Sequence, residues 1–205
     1  MQANPVNIER PRSLTETARR EQIVQATIRT LAEVGYARTS YARIARSAGL
    51  SSTGMISYHF ASKGELMSEV VMAVVGGIGR YVQERMERTT SPAEALRTYI
   101  LATTAYIGAH REAMQALLAV VLSGAMTAGT GSFERAADAI EDILRAGQAA
   151  GQFRDFDVGV MTSVIQRSIE GLPVLLAHDP DFDVAGYSRE LADLFDHATR
   201  RTKEG

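Results

Sequence analysis

No stretch of this 205-residue chain alternates apolar and polar residues at period two; apolar positions recur three and four apart from one end to the other. That is the period of an α-helix, and its persistence predicts an all-α fold without a sheet. Helix punctuation points the same way. A hydroxyl stands three residues before a glutamate at Ser13-Leu14-Thr15-Glu16, Ser62-Lys63-Gly64-Glu65 and Ser91-Pro92-Ala93-Glu94. In such a capping box the hydroxyl accepts from an amide of the first turn and the carboxylate reaches back. Pro92 falls at the first helical position, where no N–H is needed.

These signals predict about nine helices. The first runs from the box at 13–16, carries Ile23, Thr27, Leu31 and Val34 on one face, and ends at Gly35. Thr39 or Ser40 caps a short second helix that Gly49 stops, and Ser51 or Ser52 caps a third that ends near Phe60. A long helix follows to about 88, then helices over 92–110, 112–124, 133–149, 157–177 and 184–200, with a loop at 128–131 and a break at 178–181. Residues 1–12 are polar, contain Pro5 and Pro11, and read as a disordered arm rather than a signal peptide. The division expected is an arm over 1–12, a helix-turn-helix unit over 13–61 and a helical body over 62–205.

Charge separates the same parts. Residues 1–63 hold nine Lys and Arg against four Asp and Glu; residues 64–205 hold thirteen against twenty. A basic first third on an acidic body suits a polyanion partner for that third alone. With no cysteine, disulfides, thiolate metal sites and cysteine nucleophiles are excluded, and a reducing cytoplasm fits. The longest apolar run, residues 70–78, is too short for a membrane helix. His59, His110, His178 and His197 show no helical metal-ligand spacing, and Gly129-Thr130-Gly131 lacks the strand and third glycine of a nucleotide-binding turn. Nothing in the sequence calls for a metal, a cofactor or a catalytic residue. A helical enzyme with a site assembled only in space, or an interaction bundle without DNA binding, is the alternative class.

Residues 39–60 form helix, glycine turn, helix, the pattern whose second helix enters a major groove. Ile56 and Phe60 make one apolar face of that second helix; Gly54 and Tyr58 lie opposite, with Met55 and Ser57 on the flanks. The stretch TSYARIARSAGLSSTGMISYHFASKGEL, residues 39–66, resembles the DNA-binding region of the TetR family of transcriptional repressors. The resemblance is carried by Thr39-Ser40, Ile44-Ala45, Ala48-Gly49-Leu50, Ser52, Gly54, Tyr58-His59-Phe60 and Ser62-Lys63. Ser57 departs from it, standing where the family commonly has a second aromatic.

The resemblance implies a homodimer with one reading helix per subunit, bound to palindromic double-stranded operator DNA. Thr53, Gly54, Met55 and Ser57 would face bases. Gly54 would admit close backbone approach, and Met55 would touch a thymine methyl. Tyr58, His59 and Lys63 would hold phosphates, as would Ser40 and Tyr41 at a helix start. Arg43 would read guanine or hold a phosphate, and Arg10 and Arg12 would reach along the duplex.

By the same resemblance the body senses a ligand and dimerises. Helix 157–177 is apolar on two sides, through Val160, Val164, Ile165, Ile169, Leu172 and Leu176, and helix 184–200 carries Tyr187, Leu191, Leu194 and Phe195. Together they would build a four-helix seam between subunits. Tyr99, Tyr106, Met114, Leu118, Met126, Met161, Ile165 and Gln166 are expected around one interior that takes a small, largely apolar effector whose binding releases DNA.

Overall fold

The computed structural model describes residues 14–124 and 131–201, with side chains of the second segment described from residue 136 on. Among these residues there are ten helices: α1 (Leu14–Arg38), α2 (Tyr41–Ser47), α3 (Gly54–His59), α4 (Lys63–Met86), α5 (Pro92–Ala109), α6 (Arg111–Leu122), α7 (Gly131–Ala149), α8 (Val158–Glu170), α9 (Leu172–His178) and α10 (Val184–Thr199). The all-helical expectation holds; among the described residues the one β-bridge is an isolated pair, Phe153 with Arg200. None of the described helices is long and apolar enough to cross a membrane.

The caps follow the sequence in most places. The hydroxyls of Ser62 and Ser91 accept from the amides of Glu65 at 3.1 Å and Glu94 at 3.2 Å. Each glutamate reaches back one residue beyond the cap: Ala61 N–H donates to Glu65 at 2.7 Å and Thr90 N–H to Glu94 at 2.9 Å. Asp157 and Asp183 cap α8 and α10 through the amides of Val160 and Gly186. Ser13, the expected cap of the first box, and the arm over 1–12 lie outside the described residues, as do residues 128–130 of the expected loop.

Three local expectations change. Gly35, with φ 73 and ψ 170, breaks the helical backbone at the expected stop, but helix resumes beyond it and one short turn reaches Arg38. Neither Ser51 nor Ser52 caps α3; its N-cap is Thr53, itself in helical geometry and without a side-chain cap bond. The single helix expected over 157–177 is two. Pro173 has no N–H to give the carbonyl of Ile169, and the amide of Val174 turns back only three residues, to Gly171 at 3.1 Å.

The buried side chains form one connected cluster. It starts with Ile23, Leu31, Ile44, Ile56 and Phe60, continues through Leu66, Met67, Val70 and Val74 of α4, and ends among Ile100, Val120, Leu144, Ile165 and Phe195. Helix α4 is the element that belongs to both ends: its first turns close the helix-turn-helix unit and its later turns pack on α5 and α7. α1 also lies along α6, so the unit rests on the body.

Candidate nucleic-acid interface and interior cavity

α3 has only six residues and is not stable by itself. It is held from below. Ile56 and Phe60 are 0% and 1% exposed, and the Arg20 guanidinium of α1 lies 4.1 Å over the Phe60 ring. Arg20 also donates to the His59 carbonyl at the end of α3, and to Glu65 at 3.3 Å and Glu69 at 2.9 Å on α4. One buried cation thus joins α1, α3 and α4, with its donors divided among acceptors that fit its planar fork. The turn after α2 is fixed in the same manner. Gln22 donates to the Ala48 carbonyl at 2.7 Å and Arg29 to that of Ser47 at 3.3 Å, satisfying carbonyls that the helix end leaves open. Gly49 follows with φ 66.

The face turned outward is polar. Ser40, Arg43, Thr53, Gly54, Ser57 and Tyr58 are exposed, Tyr58 by 78%. Met55 is half-buried beside them. A Cβ on Gly54 would meet nothing of this chain closer than the Ser52 hydroxyl at 3.4 Å, an ordinary contact, so packing within the chain does not demand a glycine there. Tyr41 is half-buried at the start of α2; burial, and then the Glu65 carboxylate, push its phenol up. Lys63 is half-buried, donates to the Thr39 carbonyl at 2.9 Å and lies 4.2 Å over the Tyr36 ring. His59 stands apart from the exposed set: it is 9% exposed and packs edge-on against Tyr58 with 5.0 Å between ring centroids. Its position one residue before Phe60 puts it on the inner side of the helix.

A cavity of about 580 Å³ lies between α4, α5 and α7. Its apolar wall comes from Met72, Val75, Ile78, Val82 and Met86 of α4 and Ile143 of α7. Space is left by Gly76, Gly79, Ala136 and Ala139; the polar lining is Gln83, Tyr99 and Asp142. Burial, followed by the nearby Glu170 carboxylate, pushes the Tyr99 phenol up to about 12, so it stays protonated and donates to the Ala136 carbonyl at 3.5 Å.

Of the side chains expected around one interior, Tyr99 lines this cavity. Met114 and Ile165 are core residues, 3% and 0% exposed, and Gln166 donates to Glu170 at 2.8 Å. Tyr106 stacks on His110 at 3.8 Å, with its hydroxyl against Gly77. Leu118 and Met161 are half-buried, and Met126 lies outside the described residues. The sequence reading treated α4 only as a link and so missed its part in the wall. Three glycines within one turn of a long helix, Gly76, Gly77 and Gly79, were the available signal. Arg20, the cation that joins three helices, was also missed; a lone arginine on a surface helix gives no sign of where its partners lie. Among the described residues no three His, Asp or Glu side chains are placed to hold a metal ion.

Comparison with known proteins bears on both parts. The pattern of the bacterial regulatory proteins of the tetR family matches residues 23–70. The HTH-type transcriptional regulator BetI 1 of Chromohalobacter salexigens is 35% identical over 91 residues, 44% of this chain and 45% of that protein. The match therefore spans less than half the length of that relative. Among solved structures, a putative transcriptional regulator from Saccharomonospora viridis in complex with choline superposes with a TM-score of 0.79 at 21% identity, over 91% of this chain and all of that one (100%). A tetR-family regulatory protein from Rhodococcus RHA1 superposes with a TM-score of 0.77 at 15% identity, over 90% of this chain and 98% of that one. These likenesses extend the shared fold through the body.

Proposed function

We propose that the chain, whose residues 23–70 match the pattern of the bacterial regulatory proteins of the tetR family, is a ligand-responsive transcriptional regulator of that family that binds a palindromic operator as a homodimer. The observation that carries this reading is the build of α3: a short helix locked from below by Ile56, Phe60 and Arg20, with Thr53, Gly54, Ser57 and Tyr58 outward. Exposed hydroxyls and a glycine suit base edges at close approach; Ser40, Tyr41, Arg43 and Lys63 sit around them, where backbone phosphates would run. His59 contributes by packing Tyr58 from behind.

The dimer is supported by apolar side chains left outside the core. Val160 and Val164 on α8 and Leu194 on α10 are 63%, 50% and 60% exposed, while Ile165, Ile169, Leu191 and Phe195 of the same helices are buried. A second copy seated on this surface would bury it, with α8 and α10 of each subunit forming a four-helix seam. The cavity beside α4 is the place for an effector, and the choline held by the S. viridis neighbour supports a small molecule in a body of this fold. Repression in the cytoplasm, relieved by the effector, completes the reading.

Selecting operator sites from random duplexes and footprinting the winners tests it. The expected result is an inverted repeat with half-sites about one helical turn, or a small multiple, apart. Binding with no sequence preference, or protection of a single half-site by a monomer, would overturn it. Hydrolysis of generic esters would favour the enzyme class instead.

A further inference from the structure

The structure carries an inference about what the cavity takes, and it rests on the effector reading above. We infer that the cavity beside α4 takes a small amphiphilic monocation, a hydrocarbon body bearing one amine or quaternary ammonium group, with the charge beside Asp142.

The first ground is the space. Gly76 and Gly79 stand inside α4, where glycine weakens a helix relative to alanine. A Cβ on Gly79 would meet nothing within 4 Å, and Gly79 lines the cavity. The helix forgoes side chains at the place where they would narrow the cavity. About 580 Å³ is within the range of small-molecule sites.

The second ground is the character of the polar lining. The wall is otherwise aliphatic and methionine, which suits a hydrocarbon body of adaptable shape. Asp142 is the one charged group among the described lining residues; it is exposed, which puts it at the mouth, and it makes no ion pair with a described residue. Tyr99 supplies the one aromatic ring among them, and a ring face attracts a cation. Gln83 adds an amide whose carbonyl can turn toward a positive charge. Arg80 folds back along α4 over Gly76, but it is exposed and outside the lining. An anionic head would meet the Asp142 carboxylate with no described cation in the wall to offset it. A neutral head would leave that carboxylate to water.

Three probes with one body separate the cases: 4-phenylbutyltrimethylammonium, 4-phenylbutanol and 4-phenylbutanoate, each titrated calorimetrically into the full chain without DNA. The ammonium compound is expected to bind tightest. Asp142→Asn should weaken it by about 3- to 10-fold and leave the alcohol unchanged. Ala139→Phe, which fills the cavity, should weaken the ammonium compound and the alcohol together. Equal affinity for the three, a preference for the carboxylate, no binding of the ammonium compound, or an ammonium affinity indifferent to Asp142→Asn overturns the inference. Because DNA is absent, failure here is separate from failure of the regulator reading, which the operator selection decides; a preference for the carboxylate would sink the cation and keep the cavity.

Discussion

The Lys63 ammonium donates to the Thr39 carbonyl at 2.9 Å, tying the first residue of α4 to the residue before the cap of α2. The same ammonium lies over the Tyr36 ring at 4.2 Å. One of its three protons is used within the chain, and the side chain remains half-exposed, so the cation is held in place and still has donors for a phosphate.

Lys63→Ala should weaken binding to all duplexes alike and reduce the slope of log affinity against log salt by about one unit. Filter binding of operator and random DNA across a salt series measures it. A change of base preference instead would mean that Lys63 reads sequence.

Gly54→Val should leave the fold intact, because only the Ser52 hydroxyl stands near the new Cβ, at 3.4 Å. Urea unfolding should move by about 1 kcal/mol at most. Operator affinity should fall by about tenfold or more, since a branched side chain would separate the helix from the bases. Full affinity in the variant would show that the backbone does not approach DNA at this point.

Arg20→Met should cost about 2–4 kcal/mol by equilibrium denaturation, since it strands the carboxylates of Glu65 and Glu69 and the His59 carbonyl around an apolar chain. Arg20→Lys should recover only part of this, as one ammonium cannot span the same acceptors. Complete rescue by lysine would reduce the fork to a point charge.

Adjacent residues of α8 should behave oppositely. Val164→Asp, at a position 50% exposed, should leave the subunit folded and turn a dimer into a monomer in sedimentation. Ile165→Asp, at 0% exposure, should unfold the chain. A Val164→Asp protein that stays dimeric would move the seam elsewhere.

Tyr99 gives a pH dependence of known sign. Its phenol is pushed up to about 12 in the folded chain, chiefly by burial, so the native state holds this proton more tightly than the unfolded state. The resulting stability is complete below about pH 10, the unfolded value, and is lost as pH rises toward 12. Tyr99→Phe should remove about 2–3 kcal/mol of that alkaline decline, read from denaturation midpoints across the interval. Parallel curves for the two proteins would show that Tyr99 does not titrate with unfolding.

Much of the fold was legible because helix boundaries are written locally. Ser62, Ser91, Asp157, Gly35 and Gly49 each act within a few residues of themselves, and each takes the cap or positive-φ backbone its type favours. The inward face of α3 was legible for the same reason, since Ile56 and Phe60 are one turn apart. What failed to show depends on distance. Arg20 meets partners 39 to 49 residues away, and the cavity exists only where α4 passes α7. The break at Gly171 was a local feature overlooked: Pro173 interrupts an amide ladder that the apolar pattern alone carries straight through.

The single core that runs from Ile23 through Leu66, Met67 and Val70 has a bearing on how such chains could be recombined. A fragment cut at residue 61 would keep Arg20 and lose Glu65 and Glu69, its two carboxylate partners. A transplantable reader must therefore carry the first two turns of α4 with it. An exchange of bodies between relatives has its seam inside a helix, where both parents need the same turn of backbone and where the inherited face of α4 fixes how the new body is aimed at the groove.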